Sequence, residues 1–246
     1  MKSLLEQLLL AAVRKLDGEI APAAVAVERT RDAGHGDYAS SIAMRLAKAA
    51  GREPREMAQA IVGALPASPL ILRAEVAGKG FINFFLAPDA LAREIRRIHE
   101  LGDAYGCEGV ELAKRQTTEK SLYDVQYVHA RAASAMKEVR ARGISFDPAA
   151  ALDHLERLDK ETERVLIAAL LRFPEEVESA VANCAPQSIV YYLREVANAF
   201  HTYYNTEKWF VAEDDLRSAR LALVLAAGQV VRNGLGLIGV SAPESM

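Results

Sequence analysis

Cysteine is nearly absent. Cys107 and Cys184 stand far apart with no paired neighbours, which argues against a disulfide framework or a cysteine-built zinc site. No apolar run reaches the roughly 20 residues that a membrane-spanning helix needs. The opening MKSLLEQLLLAAVRKL is broken by Glu6, Gln7, Arg14 and Lys15 and has no small-residue cleavage site. It is read as an amphipathic helix, not a secretory leader, so a cytoplasmic location and no membrane partner are expected. None of the five histidines (His35, His99, His129, His154, His201) lies at ligand spacing from another histidine, a cysteine or a carboxylate, so no metal is expected. There is no Walker-type phosphate loop, and AGKG at 77–80 lacks the strand-then-helix frame of one. There is no G-x-S-x-G elbow. The carboxylates of LERLDKETERV and PEEVES follow solvated helix faces. From the residues, no catalytic group and no cofactor is expected. The net charge of −3 argues mildly against nucleic acid as a partner, although local clusters of basic residues matter more than the sum.

What is present is helical periodicity, with one β-rich stretch. Leu5, Leu9 and Val13, with Leu4, Leu8, Ala12 and Leu16, form an apolar stripe over residues 3–16, and Gly18 is a plausible stop. Val25 to Thr30 is a candidate strand. GHGD at 34–37 is a turn, with Asp37 placed to cap a helix carrying Ile42, Leu46 and Ala50. Pro54 suits the first position of the next helix. PLILRAEV and FINFFLA read as two strands joined by the AGKG hairpin turn, and a helix over 89–101 follows. From Tyr123 onward every segment has helical period. Val125, Val128, Ala132, Met136 and Val139 mark one helix. Leu152, Leu155, Val165, Leu166 and Leu170 are assigned to a long second. Pro174 opens a third, and Ile189, Leu193, Val196 and Phe200 line a fourth. Asp214 or Asp215 starts the last, which runs to Gly234. The expected fold class is an α+β N-terminal module over 1–104, with helices on a small antiparallel sheet. A linker over 105–121 leads to an all-α helical bundle over 122–246.

Three stretches offer binding chemistry. In GKGFINFFL, Phe81, Asn83 and Phe85 alternate onto one side of the strand. On a one-sided sheet they would show two rings and an amide, groups that stack on an unpaired base and read its edge. The plainer alternative is a sheet covered on both faces, since aromatics are ordinary strand formers. In YYLREVANAFHTYYN, Tyr191, Arg194, Asn198, His201 and Asn205 share a face opposite Leu193, Val196 and Phe200. That face suits splayed bases and phosphates, or is simply polar. In VQYVHARAASAMKEVRARG, Arg131, Lys137, Arg140 and Arg142 make a locally basic helix. It can hold a phosphate backbone, or be a solvated end favoured by the macrodipole.

HGDYASSIAMRLAK followed by AGKGFINFFLAPDAL resembles the N-terminal additional domain of bacterial arginyl-tRNA synthetases. VQYVHARAAS resembles the start of their DALR anticodon-binding bundle. ANAFHTYYN and AEDDLRSARLALVLAAGQVVRNGLGLIGVSAPESM resemble its end. The family sets a class I catalytic domain between these modules, with H-I-G-H-like and K-M-S-K-S-like motifs. Neither motif is in this sequence, and the run from Gly106 to Ser121 stands where that domain would be. A nucleotide-binding α/β domain needs repeated strand–helix units of ~30 residues each.

The resemblance implies tRNA as the partner, arginine isoacceptors in particular. It implies elbow contacts at Phe81 and Asn83, with Gly78 where some members carry a further Asn. It implies anticodon-loop contacts at Tyr204 and Met246, with Tyr127, Arg131 and Trp209 as further candidates, and a phosphate role for Lys137, Arg140 and Arg142. The expected function is a non-catalytic tRNA-binding protein that presents tRNA to a modifying enzyme or a full-length synthetase. Two alternatives stand beside it: an arginine–tRNA ligase by family or with a catalytic half in trans, and an interaction scaffold without RNA binding.

Overall fold

The first apolar stripe winds into α1 (Lys2–Asp17). Leu5, Leu9, Ala12 and Val13 are buried, while Leu4 and Leu16 lie at its exposed margins. The computed structural model describes residues 1–17, 25–30, 32–107 and 122–246. Gly18, the expected stop of α1, lies outside the described residues. The described residues gather into two units, Met1–Ala90 and Leu91–Met246.

In the first unit, β1 (Glu28–Arg29), β2 (Tyr38–Ser40), β3 (Ile71–Ala77) and β4 (Phe81–Leu86) form an antiparallel sheet in the order β1-β2-β4-β3. Helices α2 (Ile42–Ala50) and α3 (Pro54–Ala64) interrupt it in sequence. Tyr38, Ile82 and Phe84 pack with Leu5, Leu9, Met57 and Ile61 in one core. Each such fully buried side chain contributes about 1.5–3 kcal/mol. The hairpin turn is where AGKG predicts it. Gly78 and Gly80 take φ of 52° and 119°, and a Cβ on Gly80 would lie 2.9 Å from the Pro54 carbonyl oxygen, so both positions need glycine.

Two expectations are corrected in this unit. The strand over Val25 to Thr30 pairs only at Glu28 and Arg29, opposite Ala39 and Tyr38. Asp37 does not cap α2. Its carboxylate accepts the Leu86 N–H at 2.8 Å, and its own N–H donates to the Phe84 carbonyl at 2.8 Å. Gly36, at φ 80°, has no room for a side chain, since a Cβ would lie 2.6 Å from that same carbonyl oxygen. GHGD therefore fastens the entry of β2 to β4.

The second unit is helical. It comprises most of α4 (Pro88–Leu101), then α5 (Tyr123–Ala141), α6 (Pro148–Ala151), α7 (Glu161–Leu171), α8 (Phe173–Ala182), α9 (Gln187–Thr206) and α10 (Asp214–Leu237). The expected long second helix is broken. A 3-10 turn, Leu152–Arg157, follows α6, and α7 starts afresh. The Glu163 carboxylate accepts the Lys160 N–H at 3.0 Å, and Glu161 and Glu163 sit in the positive first turn. Val165 lies on α7 and is 53% exposed. The last helix runs past Gly234 to Leu237.

The boundary expected after residue 104 falls at Ala90. The cause is packing: Ile95, Ile98 and Tyr105 belong to the core of the bundle. The Tyr105 hydroxyl donates to the buried Glu94 carboxylate at 2.9 Å. The Asn233 amide donates to the Gly102 and Tyr105 carbonyls at 2.8 and 3.1 Å. Of the expected linker, residues 108–121 lie outside the described residues. Among the described residues, no helix is long and apolar enough to cross a membrane, and no cluster of His, Cys, Asp or Glu is placed to hold a metal ion.

Candidate nucleic-acid interface

Tyr123, Tyr127 and Arg131 recur every four residues and so share one face of α5. Along that face the rings of Tyr123 and Tyr127 stack at 6.1 Å with an interplanar angle of 14°. The Arg131 guanidinium then lies between two phenol rings, 4.7 Å from the Tyr127 centroid and 4.5 Å from that of Tyr204 on α9. Its Nη2 also donates to the Tyr127 hydroxyl at 3.3 Å. The indole Nε1 of Trp209 donates to the Tyr204 hydroxyl at 3.1 Å. Phe210 meets Trp209 edge to face at 5.5 Å and lies under Arg142 at 4.0 Å, with Arg217 at 5.8 Å. From Tyr123 to Arg142 this arginine–aromatic ladder follows α5 for about 28 Å at 1.5 Å per residue. Each cation–π pair contributes about 0.5–1 kcal/mol at an exposed site. Alternating flat cations and rings are the kinds of group on which unpaired bases stack.

Four sequence candidates therefore come together: Tyr127, Arg131, Tyr204 and Trp209. Trp209 is only 6% exposed, so it supports Tyr204 from beneath and offers little surface of its own. Phe210 and Arg217 were missed by sequence reasoning. The aromatic pair at 209–210 was the available signal. The polar face of α9 is as expected, with Tyr191, Arg194, Asn198 and Asn205 exposed. His201 is part of the seam instead: its Nε2 lies 3.1 Å from the Asp124 carbonyl, and its ring is 6.0 Å from Tyr127.

The expected phosphate-binding residues divide. Lys137 lies 3.9 Å from the Glu244 carboxylate. Arg142 is paired with Glu138 as well as stacked on Phe210. Arg140 is exposed. Two of the three cations thus carry an acidic neighbour, and their attraction for phosphate is reduced accordingly. The C-terminal segment is tied to α5 by Gln126, which donates to the Ser241 carbonyl at 3.0 Å. His129 adds a second tie, with Nδ1 2.9 Å from the Pro243 carbonyl. Met246 follows them and is about half exposed.

In the first unit, Phe81 is 43% exposed while Asn83 is only 5% exposed. They share the sheet face opposite Ile82 and Phe84, as alternation requires. The picture of Asn83 as an outward amide is corrected. It lies in a central strand, opposite Ala39 on β2 and Glu75 on β3. The ring of Phe85, next on that face, is capped by Arg73 at 3.6 Å, which in turn is held by Glu75 at 2.6 Å.

A cavity of about 560 Å³ is lined by Asp103, Cys107, His129, Arg232, Asn233 and Glu244 among others. Several of its polar groups are already engaged: Arg232 lies 3.5 Å from Asp103, and the Asn233 amide is spent on the Gly102 and Tyr105 carbonyls. Burial, and secondarily Asp103, pushes the Cys107 thiol up to about 11.

Comparison with known proteins gives two family matches. Residues 3–86 match the arginyl tRNA synthetase N terminal domain. Residues 125–246 match the DALR anticodon binding domain. Over 137 residues, 56% of this chain, it is 42% identical to the arginine--tRNA ligase of Legionella pneumophila (strain Corby). Over the same length it is 45% identical to that of Thioalkalivibrio sulfidiphilus (strain HL-EbGR7). The match covers 23% of each relative, so the aligned stretch spans about a quarter of their length. Among solved structures, Thermus thermophilus arginyl-tRNA synthetase aligns with 65% of this chain and 31% of its own, at 27% identity and a TM-score of 0.44.

Proposed function

We propose, for a chain that joins an arginyl-tRNA synthetase N-terminal domain to a DALR anticodon-binding domain and so is arginyl-tRNA synthetase-like, that it binds tRNA and does not itself charge it. The observation that carries this is Arg131 held between Tyr127 and Tyr204. A planar cation between rings on the surface of an anticodon-binding domain has the shape and charge to hold an unpaired base beside its phosphate. Arginine isoacceptors are the proposed partners, engaged at the anticodon loop by Tyr127, Arg131 and Tyr204. Phe81 supplies an exposed ring for an unpaired elbow nucleotide, with the covered Asn83 beside it. Met246 and the cations Arg140, Lys137 and Arg142 are assigned to the rim, where phosphates pass.

The absence of catalysis rests on room. Only residues 87–124 separate the two matched regions, and α4 already occupies 88–101 of them. A class I domain needs several strand–helix units of ~30 residues each. Filter binding against tRNA pools tests the binding. Preference for arginine isoacceptors, with affinity falling steeply as salt rises, is the expected result. Equal binding of all tRNAs with a flat salt response refutes it. Arginine-dependent pyrophosphate exchange by the purified chain would refute the non-catalytic part separately.

A further inference from the structure

Arg220 is a charged residue inside the apolar run SARLALVLAAGQVV of α10, and it is only 4% exposed. Three acceptors surround it. Its Nε donates to Glu163 Oε1 at 2.8 Å, its Nη2 to Glu207 Oε2 at 3.0 Å, and its Nη1 to the Lys208 carbonyl at 2.8 Å. Glu163 is fully buried, and its other oxygen accepts the Lys160 N–H. A buried charge cluster of this kind often adds little to stability over a well-packed apolar replacement, and in some systems it fixes geometry instead. Here the fixed element is the segment joining α9 to α10. Glu207 and Lys208 are gripped directly, and the next residue is Trp209. Its indole donates to the Tyr204 hydroxyl, and Tyr204 is one of the two rings against Arg131. The chain of contacts runs from a buried cation to the surface stack without a gap.

We propose that Arg220, caged by Glu163, Glu207 and the Lys208 carbonyl, is a positioning residue that seats Trp209 against Tyr204 and so fixes the platform on which an unpaired RNA base stacks. Arg220 and Glu163 touch no RNA in this arrangement. The last step rests on the RNA-binding function proposed above; the seating of Trp209 does not. Lysine cannot replace Arg220, because a single ammonium lacks the planar fork that spans three acceptors.

Trp209 is the sole tryptophan, so its fluorescence reports the seat directly. Emission wavelength, acrylamide quenching and binding of an arginine-isoacceptor transcript are measured for the wild type, Arg220→Lys and Glu163→Gln. Glu207→Gln is added because Glu207 lies at the more exposed rim of the cage and its loss leaves Glu163 in place. Far-UV circular dichroism selects the variants that remain folded. Red-shifted, more easily quenched emission is expected, with RNA affinity reduced roughly tenfold, the scale of one lost base–aromatic stack. Wild-type emission and quenching in the folded variants overturn the proposal. So does a released Trp209 with unchanged RNA affinity. If the wild type binds no RNA, the function proposed above fails, and the fluorescence alone upholds or overturns the seating.

Discussion

Tyr204 joins two roles in one side chain. Its ring faces Arg131, and its hydroxyl accepts from Trp209. Tyr204→Phe keeps the ring and removes the acceptor, leaving the largely buried indole N–H without that partner. A loss of about 1 kcal/mol in unfolding free energy is expected, read by chemical denaturation, together with a change in Trp209 emission. At the same scale the two cysteines differ. The half-buried Cys107 thiol is pushed up to about 11, so little thiolate exists at pH 8, whereas Cys184 is exposed. Alkylation followed by mass spectrometry is expected to label Cys184 well before Cys107. Individual residues were partly legible in the sequence. Tyr127, Arg131, Tyr204 and Trp209 were marked by motif resemblance. Phe210, Arg217 and Arg220 were not, because their roles arise where the segment joining α9 to α10 folds back on its neighbours. A lone arginine in an apolar run was the available sign for Arg220.

Helix α10 fits closely against its neighbours at some positions and not at others. A Cβ added at Gly228 would lie 2.7 Å from the Ala132 Cβ of α5, whereas one added at Gly236 meets nothing within 4 Å. Alanine is a better helix former than glycine by about 1 kcal/mol. Gly236→Ala is therefore expected to stabilise by up to that amount, while Gly228→Ala is expected to destabilise by about 1–3 kcal/mol through overpacking. Thermal melts of the two variants check the contrast. Opposite signs are predicted from the same substitution in one helix. Most helices were legible from their 3.6-residue stripes. The break between α6 and α7 was not, since Leu152, Leu155, Leu166 and Leu170 all stay buried and the stripe reads as continuous. The break is set by local capping at Lys160 and Glu163, which hydrophobic period does not register. The shift of the unit boundary to Ala90 has a similar origin. Helix α4 is amphipathic whichever partner covers it, and only the buried side of Ile95 and Ile98 tells which one does.

At the scale of the molecule, acid and RNA are the informative perturbations. His99 is partly buried, with Nε2 2.9 Å from the Ala222 carbonyl. Burial lowers its pKa, and the backbone hydrogen bond offsets this in part. The unfolded chain, with a histidine near 6.5, then binds more protons than the folded one as pH falls below that value. Stability therefore declines on acidification below about pH 6.5 and is retained above it. Denaturation at pH 7.5 and 5.5 is expected to show the decline, and His99→Gln to reduce it. The α+β and all-α halves were legible as a whole from period and turn chemistry, and the electrostatic detail was not. Lys137, Arg140 and Arg142 read as one basic cluster along the helix, yet Glu138 and Glu244 come to stand against two of them.

Footprinting of an arginine-isoacceptor transcript bears most directly on whether the Arg131 stack meets unpaired nucleotides. The anticodon loop is expected to be protected by the wild type and exposed again with a folded Arg131→Ala variant. No protection by the wild type, or protection unchanged in Arg131→Ala, would contradict the assignment.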